Sequence, residues 1–292
     1  MHRVTAVVVN WNSGGDLAGL VTDLAAQTDV DLSILVVDNE SGDTSVDTAL
    51  ATGVDFRLVR AGANLGYTGG NRVGAAEAGP DADLFIVNPD VSLSDPATVA
   101  ALCDELAANS RLAAVAPLID VDGRAEYLDS IVDLDHALAV HTSTHVPLPE
   151  PGPPRHLTWI DGAALLVRAD ARREVGLFDD RFFLIFDEVD WCLRARHHGW
   201  EVALCPNARV AHRRSSSFAG THKMRYYYWR NQYLLCRLHA DSRVQWRWHY
   251  ARRLLQFALR RSVQPAESRA ALRGAVDAVR RRYGPGLEDV AR

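Results

Sequence analysis

Short apolar runs alternate with amphipathic stretches through the first 120 residues. Residues 4–10 are apolar up to Asn10 and predict a strand. Behind them Leu17, Leu20, Val21 and Leu24 fall on one face of a helix, with Ser13 as its N-cap. Residues 32–38 and 56–60 predict the second and third strands, separated by a short helix capped by Asp43 or Thr44 and reaching about residue 52. A third helix is expected over residues 69–78. Residues 84–88 read Leu-Phe-Ile-Val-Asn, apolar at consecutive positions, as in a strand covered on both faces. A helix through Leu106 follows, capped by Ser94 or Asp95 with Pro96 in its first turn, and then a strand over residues 112–118. Strands and helices alternating at this spacing predict an α/β fold with a mostly parallel sheet and right-handed crossovers.

That layout puts Asn10, Asp38, Arg60 and Asp90 at the carboxyl ends of successive strands, on the edge of the sheet where α/β folds take ligands. Each alone is an ordinary strand-to-loop residue; together, with two acids, they predict a binding site. Asn88-Pro89-Asp90 is the sharpest of these ends. Pro89 has no N–H to donate and holds Asn88 extended, so Asp90 stands on a stiff corner. The loop after the first strand, residues 11–16, lacks the glycine pattern of dinucleotide-binding folds, and no phosphate-loop lysine motif occurs. The one glycine-rich stretch, residues 64–71, lets backbone approach a ligand and leads into a helix N-terminus that favours negative charge.

The second half is less regular. Residues 125–156 scatter His136, His141, His145 and His156 among five prolines, and predict an exposed, adaptable loop near the site. Strands are expected over 157–160 and 163–167, separated by Asp161-Gly162. Phe178, Phe182, Phe183 and Phe186 should anchor the next loop in the core. A helix begins near Asp187, in which Asp190 and Arg194 form an i, i+4 ion pair. Asp187 and Glu188, at its start, are placed either for chemistry or for helix stabilisation by acids. Short strands over 202–204 and 209–211 follow, the second ending at His212. Beyond Met224 an aromatic-rich helix should pack on the body, and further on Trp246, Tyr250, Leu254 and Phe257 share a helical face that Arg243, Arg247, Arg252, Arg253, Arg260 and Arg261 mostly avoid. That segment reads equally as a helix docked on the body and as a basic amphipathic helix on a membrane surface.

Composition narrows the choice. The 292 residues are 48% hydrophobic with a formal net charge of −5. From Cys205 onward, however, 19 Lys and Arg stand against 5 Asp and Glu, so a basic tail follows an acidic body. Lys223 is the single lysine, which excludes a Schiff base or a phosphate-binding lysine earlier in the chain. Cys103, Cys192, Cys205 and Cys236 form no Cys-x-x-Cys pair, and the first residues show no signal-peptide pattern, so a reducing cytoplasm is expected.

In order, the segments Val-Val-Val-Asn-Trp-Asn (7–12), Val-Val-Asp-Asn-Glu-Ser (36–41), residues 64–71, Val-Asn-Pro-Asp-Val (87–91), Asp161-Gly162, residues 176–183, the acid helix 187–194 and His212 resemble family 2 glycosyltransferases of the GT-A fold, rhamnosyltransferase-like branch. The resemblance spans residues 4–230 and implies a catalytic domain over 1–220 followed by a basic helical region over 221–292. It implies a nucleotide-sugar donor, dTDP- or UDP-linked, contacted by Asn10, Asn12, Asp38, Asn64, Gly66, Gly70, Asn71, Asn88, Asp90, Asp161 and Gly162. Asp90 and His212 would hold Mn²⁺ or Mg²⁺. Glu188 or Asp187 would be the base, in an order inverted from the family's Glu-Asp. Transfer would go to an acceptor hydroxyl; if the basic tail meets the inner face of the membrane, as its charge allows, a lipid-linked saccharide in cell-envelope assembly follows as the acceptor. A soluble natural-product acceptor and a non-catalytic sugar-nucleotide-binding domain are the alternatives. A nucleotidyltransferase lacks its basic glycine loop and lysine here, and no nucleic-acid motif is present.

Overall fold

The computed structural model describes residues 2–213, 222–260 and 262–286. The first half follows the expected alternation: β1 (His2–Asn10), α1 (Asp16–Ala25), β2 (Val30–Asp38), α2 (Ser45–Leu50), β3 (Arg57–Arg60), α3 (Gly66–Ala78), β4 (Asp83–Val87), β5 (Val91–Ser92), α4 (Thr98–Ala108) and β6 (Leu112–Val121). β1 pairs in parallel with β2 and β4, and β2 with β3, giving the spatial order 3-2-1-4. Asn10 lies beside Asp38 and Asp38 beside Arg60 in register. The strand ends therefore share one edge because each in-register apolar run stops at a polar residue. Val7, Val36, Leu84 and Phe85 are wholly buried. α3 packs on β1 and β2 so closely that a Cβ on Gly74 would stand 2.3 Å from Val7 Cγ1.

The second half comprises β7 (Arg124–Ala125), β8 (Asp129–Asp133), β9 (Leu138–Thr142), β10 (Val146–Pro147), β11 (Arg155–Leu157), β12 (Ala164–Val167), α5 (Ala169–Val175), α6 (Asp187–His197), β13 (Glu201–His212), α7 (His222–His239), α8 (Gln245–Ala258) and α9 (Pro265–Val279). β12 inserts antiparallel between β4 and β6, so the mostly parallel sheet also carries antiparallel strands. The two short strands expected around residues 202–211 are one strand, β13. It runs parallel to β6 through an irregularity between Cys205 and Arg209, which hides its period. Residues 125–156 are not an exposed loop. They carry β7 and β10, and a β8–β9 hairpin that forms its own two-stranded sheet. Here Ile131 and Val132 face Val140 and Ala139, in a stretch too short and too interrupted by Asp and His to show alternation.

Helix starts also differ. α1 begins at Asp16, because Ser13 Oγ donates to Asn10 Oδ1 instead of capping. α3 begins at Gly66, so the glycine-rich stretch is its first turn. The apolar face of α8 docks inward, with Trp246 and Tyr250 buried. The four cysteines are buried and unpaired. Among the described residues no helix is long and apolar enough to cross a membrane. The expected domain boundary at 220/221 and Arg261 lie outside the described residues.

Candidate active site

Asn10 is the hub of the sheet edge. Its Nδ2 lies 3.0 Å from Asp38 Oδ1, Ser41 Oγ and Ser45 Oγ, tying the end of β1 to the loop after β2. Arg60 Nη1 stands 3.6 Å from the other carboxylate oxygen of Asp38. Asn12 adopts a left-handed backbone, which Asn tolerates, and its Oδ1 accepts the Gly42 N–H at 2.8 Å. These contacts fix the loops that flank the carboxyl ends of β1 and β2.

The glycine-rich turn is built on sidechain-to-backbone bonds. Asn64 Oδ1 accepts the Gly66 N–H at 2.9 Å, and Asn39 Nδ2 donates to the Gly66 carbonyl at 2.8 Å. Gly66 has φ of 71°, and a Cβ there would stand 2.5 Å from the Phe183 carbonyl oxygen. Only glycine fits both constraints. Gly70 lies against Val9, and Asn71 Nδ2 donates to the Tyr67 carbonyl at 2.9 Å. Trp11, Asn39, Asn64, Tyr67, Asp90 and Phe183 are among the residues lining a cleft of about 230 Å³ over this edge.

The Asn88-Pro89-Asp90 corner closes that cleft. The Asn88 N–H donates to the Ala163 carbonyl at 2.8 Å and its own carbonyl accepts the Val91 N–H at 3.1 Å, so the chain turns tightly. β5 then pairs with the end of β13, placing His212 opposite Val91. This ladder brings His212 Nε2 to 3.3 Å from Asp90 Oδ1. Burial disfavours the imidazolium, but the hydrogen bond and charge of Asp90 outweigh it, and the His212 pKa rises above its ordinary value. Among the described residues no group of three His, Cys, Asp or Glu side chains gathers as a complete metal site.

A second group of acids gathers beside it. Asp161 Oδ1 accepts the Ala163 N–H at 2.7 Å, and Oδ2 stands 3.6 Å from His141 Nε2. Burial alone would raise the Asp161 pKa; His141, the Ala163 N–H and His212 together hold it below the usual carboxylate range. The His141 ring is stacked between Tyr127 and Trp159, with centroids 3.6 and 3.8 Å away. Tyr67 O–H donates to the Gly162 carbonyl at 2.6 Å, and a Cβ on Gly162 would stand 3.7 Å from Glu188 Cβ. Tyr67 therefore joins the cleft to the start of α6. There Asp187 is buried and Glu188 half-buried. Loss of water raises the pKa of both, Asp187 to about 7. For Glu188, the charges of Asp187 and Asp161 add to it and push it well above the ordinary range.

The loop before α6 is held in an unusual shape. Phe183, Ile185 and Phe186 have φ of 66°, 67° and 67°, each costing roughly 1–2 kcal/mol in a residue with a Cβ. The buried side chains of α7 hold it there. Asn231 Nδ2 donates to the carbonyls of Phe182, Leu184 and Ile185 at 2.9, 2.6 and 3.0 Å. Arg230 Nη2 donates to those of Phe182 and Arg181 at 2.7 and 3.2 Å. One turn into α6, Asp190 binds Arg194 Nε at 2.8 Å, as the spacing predicts, and also His239 Nε2 at 2.8 Å. The helical periodicity of α7 gives no sign of this clamp. Its one trace in the sequence is three consecutive polar residues, Arg230-Asn231-Gln232, amid aromatics. Asn39 and Tyr67 lie inside the segments 36–41 and 64–71, where their neighbours carry the pattern, and His141 lies in a stretch without one.

The structure thus collects Asn64, Gly66, Asn88 and Asp90 at one cleft, with His212 on Asp90, and Asp161, Gly162, Asp187 and Glu188 around Tyr67. Asn10, Asn12, Gly70 and Asn71 engage the surrounding loops and helix. The sequence profile of glycosyltransferase-like family 2 matches residues 2–227. An N-acetylglucosaminyl-diphospho-decaprenol L-rhamnosyltransferase of Mycobacterium tuberculosis is 32% identical over 235 residues, 72% of this chain and 76% of that protein. In fold, 96% of the chain superposes on 56% of GalNAc-T7, solved with UDP, GalNAc and Mn²⁺, at a TM-score of 0.66 and 16% identity. A mannosyltransferase of Pyrobaculum calidifontis, solved with GDP-Man and Mn²⁺, matches 95% of this chain and 87% of its own length at a TM-score of 0.61 and 12% identity. The profile match over most of the chain and the 32% identity establish that the protein belongs to glycosyltransferase family 2.

Proposed function

We propose that the protein transfers a sugar, a deoxysugar such as rhamnose among the candidates, from a dTDP- or UDP-linked donor to an acceptor hydroxyl with inversion at the anomeric carbon. The acceptor we favour is a lipid-linked saccharide, the class named for the M. tuberculosis relative. One observation carries this reading: Asp90, paired with His212, and Tyr67 line one cleft, and the carboxylates of α6 lie beside Tyr67.

The donor nucleoside lies over Asn10, Asn12 and Asp38 in this reading, and its diphosphate beside the Gly66 turn and the Asn88-Pro89-Asp90 corner. Asp90 and His212, a carboxylate and an imidazole side by side, would be the residues to hold a Mn²⁺ or Mg²⁺ ion. When bound, that ion supplies charge to offset the leaving nucleoside diphosphate. Glu188, the less buried acid, takes the proton of the acceptor hydroxyl as its oxygen attacks the anomeric carbon from the face opposite the leaving group. Asp187 stays behind it and keeps its pKa high. Single displacement needs no carboxylate nucleophile, unlike a retaining hydrolase. The test is donor hydrolysis across a panel of dTDP- and UDP-sugars with Mn²⁺, followed by transfer to a diphosphate-linked lipid acceptor. Hydrolysis of one donor that disappears in Asp90→Ala supports the reading; no Mn²⁺-stimulated turnover of any donor would overturn it.

A further inference from the structure

The buried face of α8 is not its only apolar one. Val244, Trp248, Leu255 and Leu259 are 79%, 58%, 59% and 73% exposed, and at 100° per residue they fall, with Ala251, within an arc of about 80° on the side away from Trp246 and Tyr250. Eight of the ten most exposed large hydrophobic residues described lie between Leu238 and Val279, so the apolar surface is concentrated on the C-terminal helices rather than scattered. Arginines border the arc: Arg247 on one side and Arg252 on the other, both exposed, with the Arg252 guanidinium 5.4 Å from the Trp248 ring. α8 contains no acid. The acids of α9 are engaged elsewhere, Glu267 with Arg225 and Asp277 with Tyr226 and Arg282.

We propose that this outward stripe of α8 is a docking surface for an anionic lipid bilayer, in which the helix lies parallel to the plane. A narrow apolar arc with a tryptophan and arginines on both flanks matches an interfacial helix, whose apolar side chains enter the acyl boundary while the guanidinium groups reach the headgroups. Charge decides against the other occupants. A second copy of the same stripe would bring arginines against arginines with no carboxylate between them. A nucleic acid would use the arginines but leave four large apolar side chains against phosphates. The inference stands apart from the donor chemistry and concerns where the enzyme works.

The full-length protein would be sedimented with vesicles of phosphatidylcholine alone and of equal parts phosphatidylcholine and phosphatidylglycerol. Binding to the mixed vesicles, weakened by salt, is expected, with little binding to the neutral ones. Arg247→Ser with Arg252→Ser should lower partitioning by more than tenfold, since each arginine near an anionic surface adds roughly fivefold. Trp248→Ser with Leu255→Ser should lower it at least as far, while Leu50→Ser, at an exposed position on α2, leaves it unchanged. Unaltered melting curves verify that the variants fold. Absence of binding to the mixed vesicles, or binding indifferent to the stripe pair, would overturn the proposal. So would self-association or duplex-DNA binding that the stripe pair abolishes. Donor hydrolysis in solution should survive the stripe substitutions; its absence from the unsubstituted protein would count against the proposed reaction and leave the lipid result standing.

Discussion

Asn231 offers the sharpest test of how Glu188, the proposed base, is positioned. Its amide donates to three carbonyls of the loop before α6 and its Oδ1 accepts the Arg230 Nε–H at 2.9 Å. With two N–H groups it makes about two full hydrogen bonds, each with a net contribution of roughly 1 kcal/mol, and the site is closed to water, so the released carbonyls find no replacement. Asn231→Ala should therefore cost about 2–4 kcal/mol, or roughly 3–7 °C in Tm for a chain of this size. That loss is comparable to the strain of about 3–6 kcal/mol held in Phe183, Ile185 and Phe186, so the loop should relax and Glu188 with it. Asn231→Asp keeps the shape but turns an acceptor toward three carbonyls, and should be worse than alanine. The assay pairs thermal melting with turnover of whichever donor the enzyme uses, and with nucleotide binding by calorimetry. Turnover should fall at least tenfold while nucleotide Kd changes less than threefold. An Asn231→Ala protein that melts and turns over like the original would show that the loop keeps its shape without the clamp.

Glu188→Gln should lower turnover by about 10²–10⁴-fold with donor affinity kept, and Asp187→Asn by less; the reverse order in steady-state kinetics would transfer the base role to Asp187. Because the folded pKa of Asp187 is raised to about 7, its folded form holds a proton that the unfolded chain has already lost. The stability tied to that proton is present at acid pH and lost as pH rises toward 7. Asp187→Asn should accordingly raise Tm more at pH 8 than at pH 5, and equal shifts would refute the burial penalty. Gly66→Ala combines a left-handed backbone with a Cβ 2.5 Å from Phe183 and should cost about 2–5 kcal/mol with weakened nucleotide binding; a neutral substitution would mean the turn is not as tight as described. Since a metal must displace the proton that Asp90 favours on His212, calorimetric Mn²⁺ affinity should decline as pH falls through the His212 pKa, and His212→Ala should flatten that dependence along with weakening it.

The elements easiest to read were those whose pattern is local. β1, β2 and β4 are consecutive apolar runs ending in polar residues, and parallel pairing turns those endings into a shared edge with no further information. The start of α6 at Asp187 was equally plain, because an aromatic plug gives way abruptly to three acids. What escaped depends on distant pairing. β13 looked like two strands because its irregularity between Cys205 and Arg209 breaks the period of two. The β8–β9 hairpin looked like a loop because its strands are stabilised by each other and by the Tyr127–His141–Trp159 stack, not by an alternating pattern. His141 approaches Asp161 and Arg230 supports Phe182 across separations of 20 and 48 residues, and no spacing rule connects such positions.

The reach of α7 into the loop before the acids of α6 changes where the enzyme can be cut. Arg230 and Asn231 lie beyond residue 227, where the family match ends, yet they hold the turn that leads into α6 and Glu188. A fragment ending at residue 220 would keep every strand and the acids of α6 and still lack the fastening of the loop before Glu188. If Glu188 acts as proposed, a working fragment has to extend through α7, which would then serve the reaction although it lies outside the sheet.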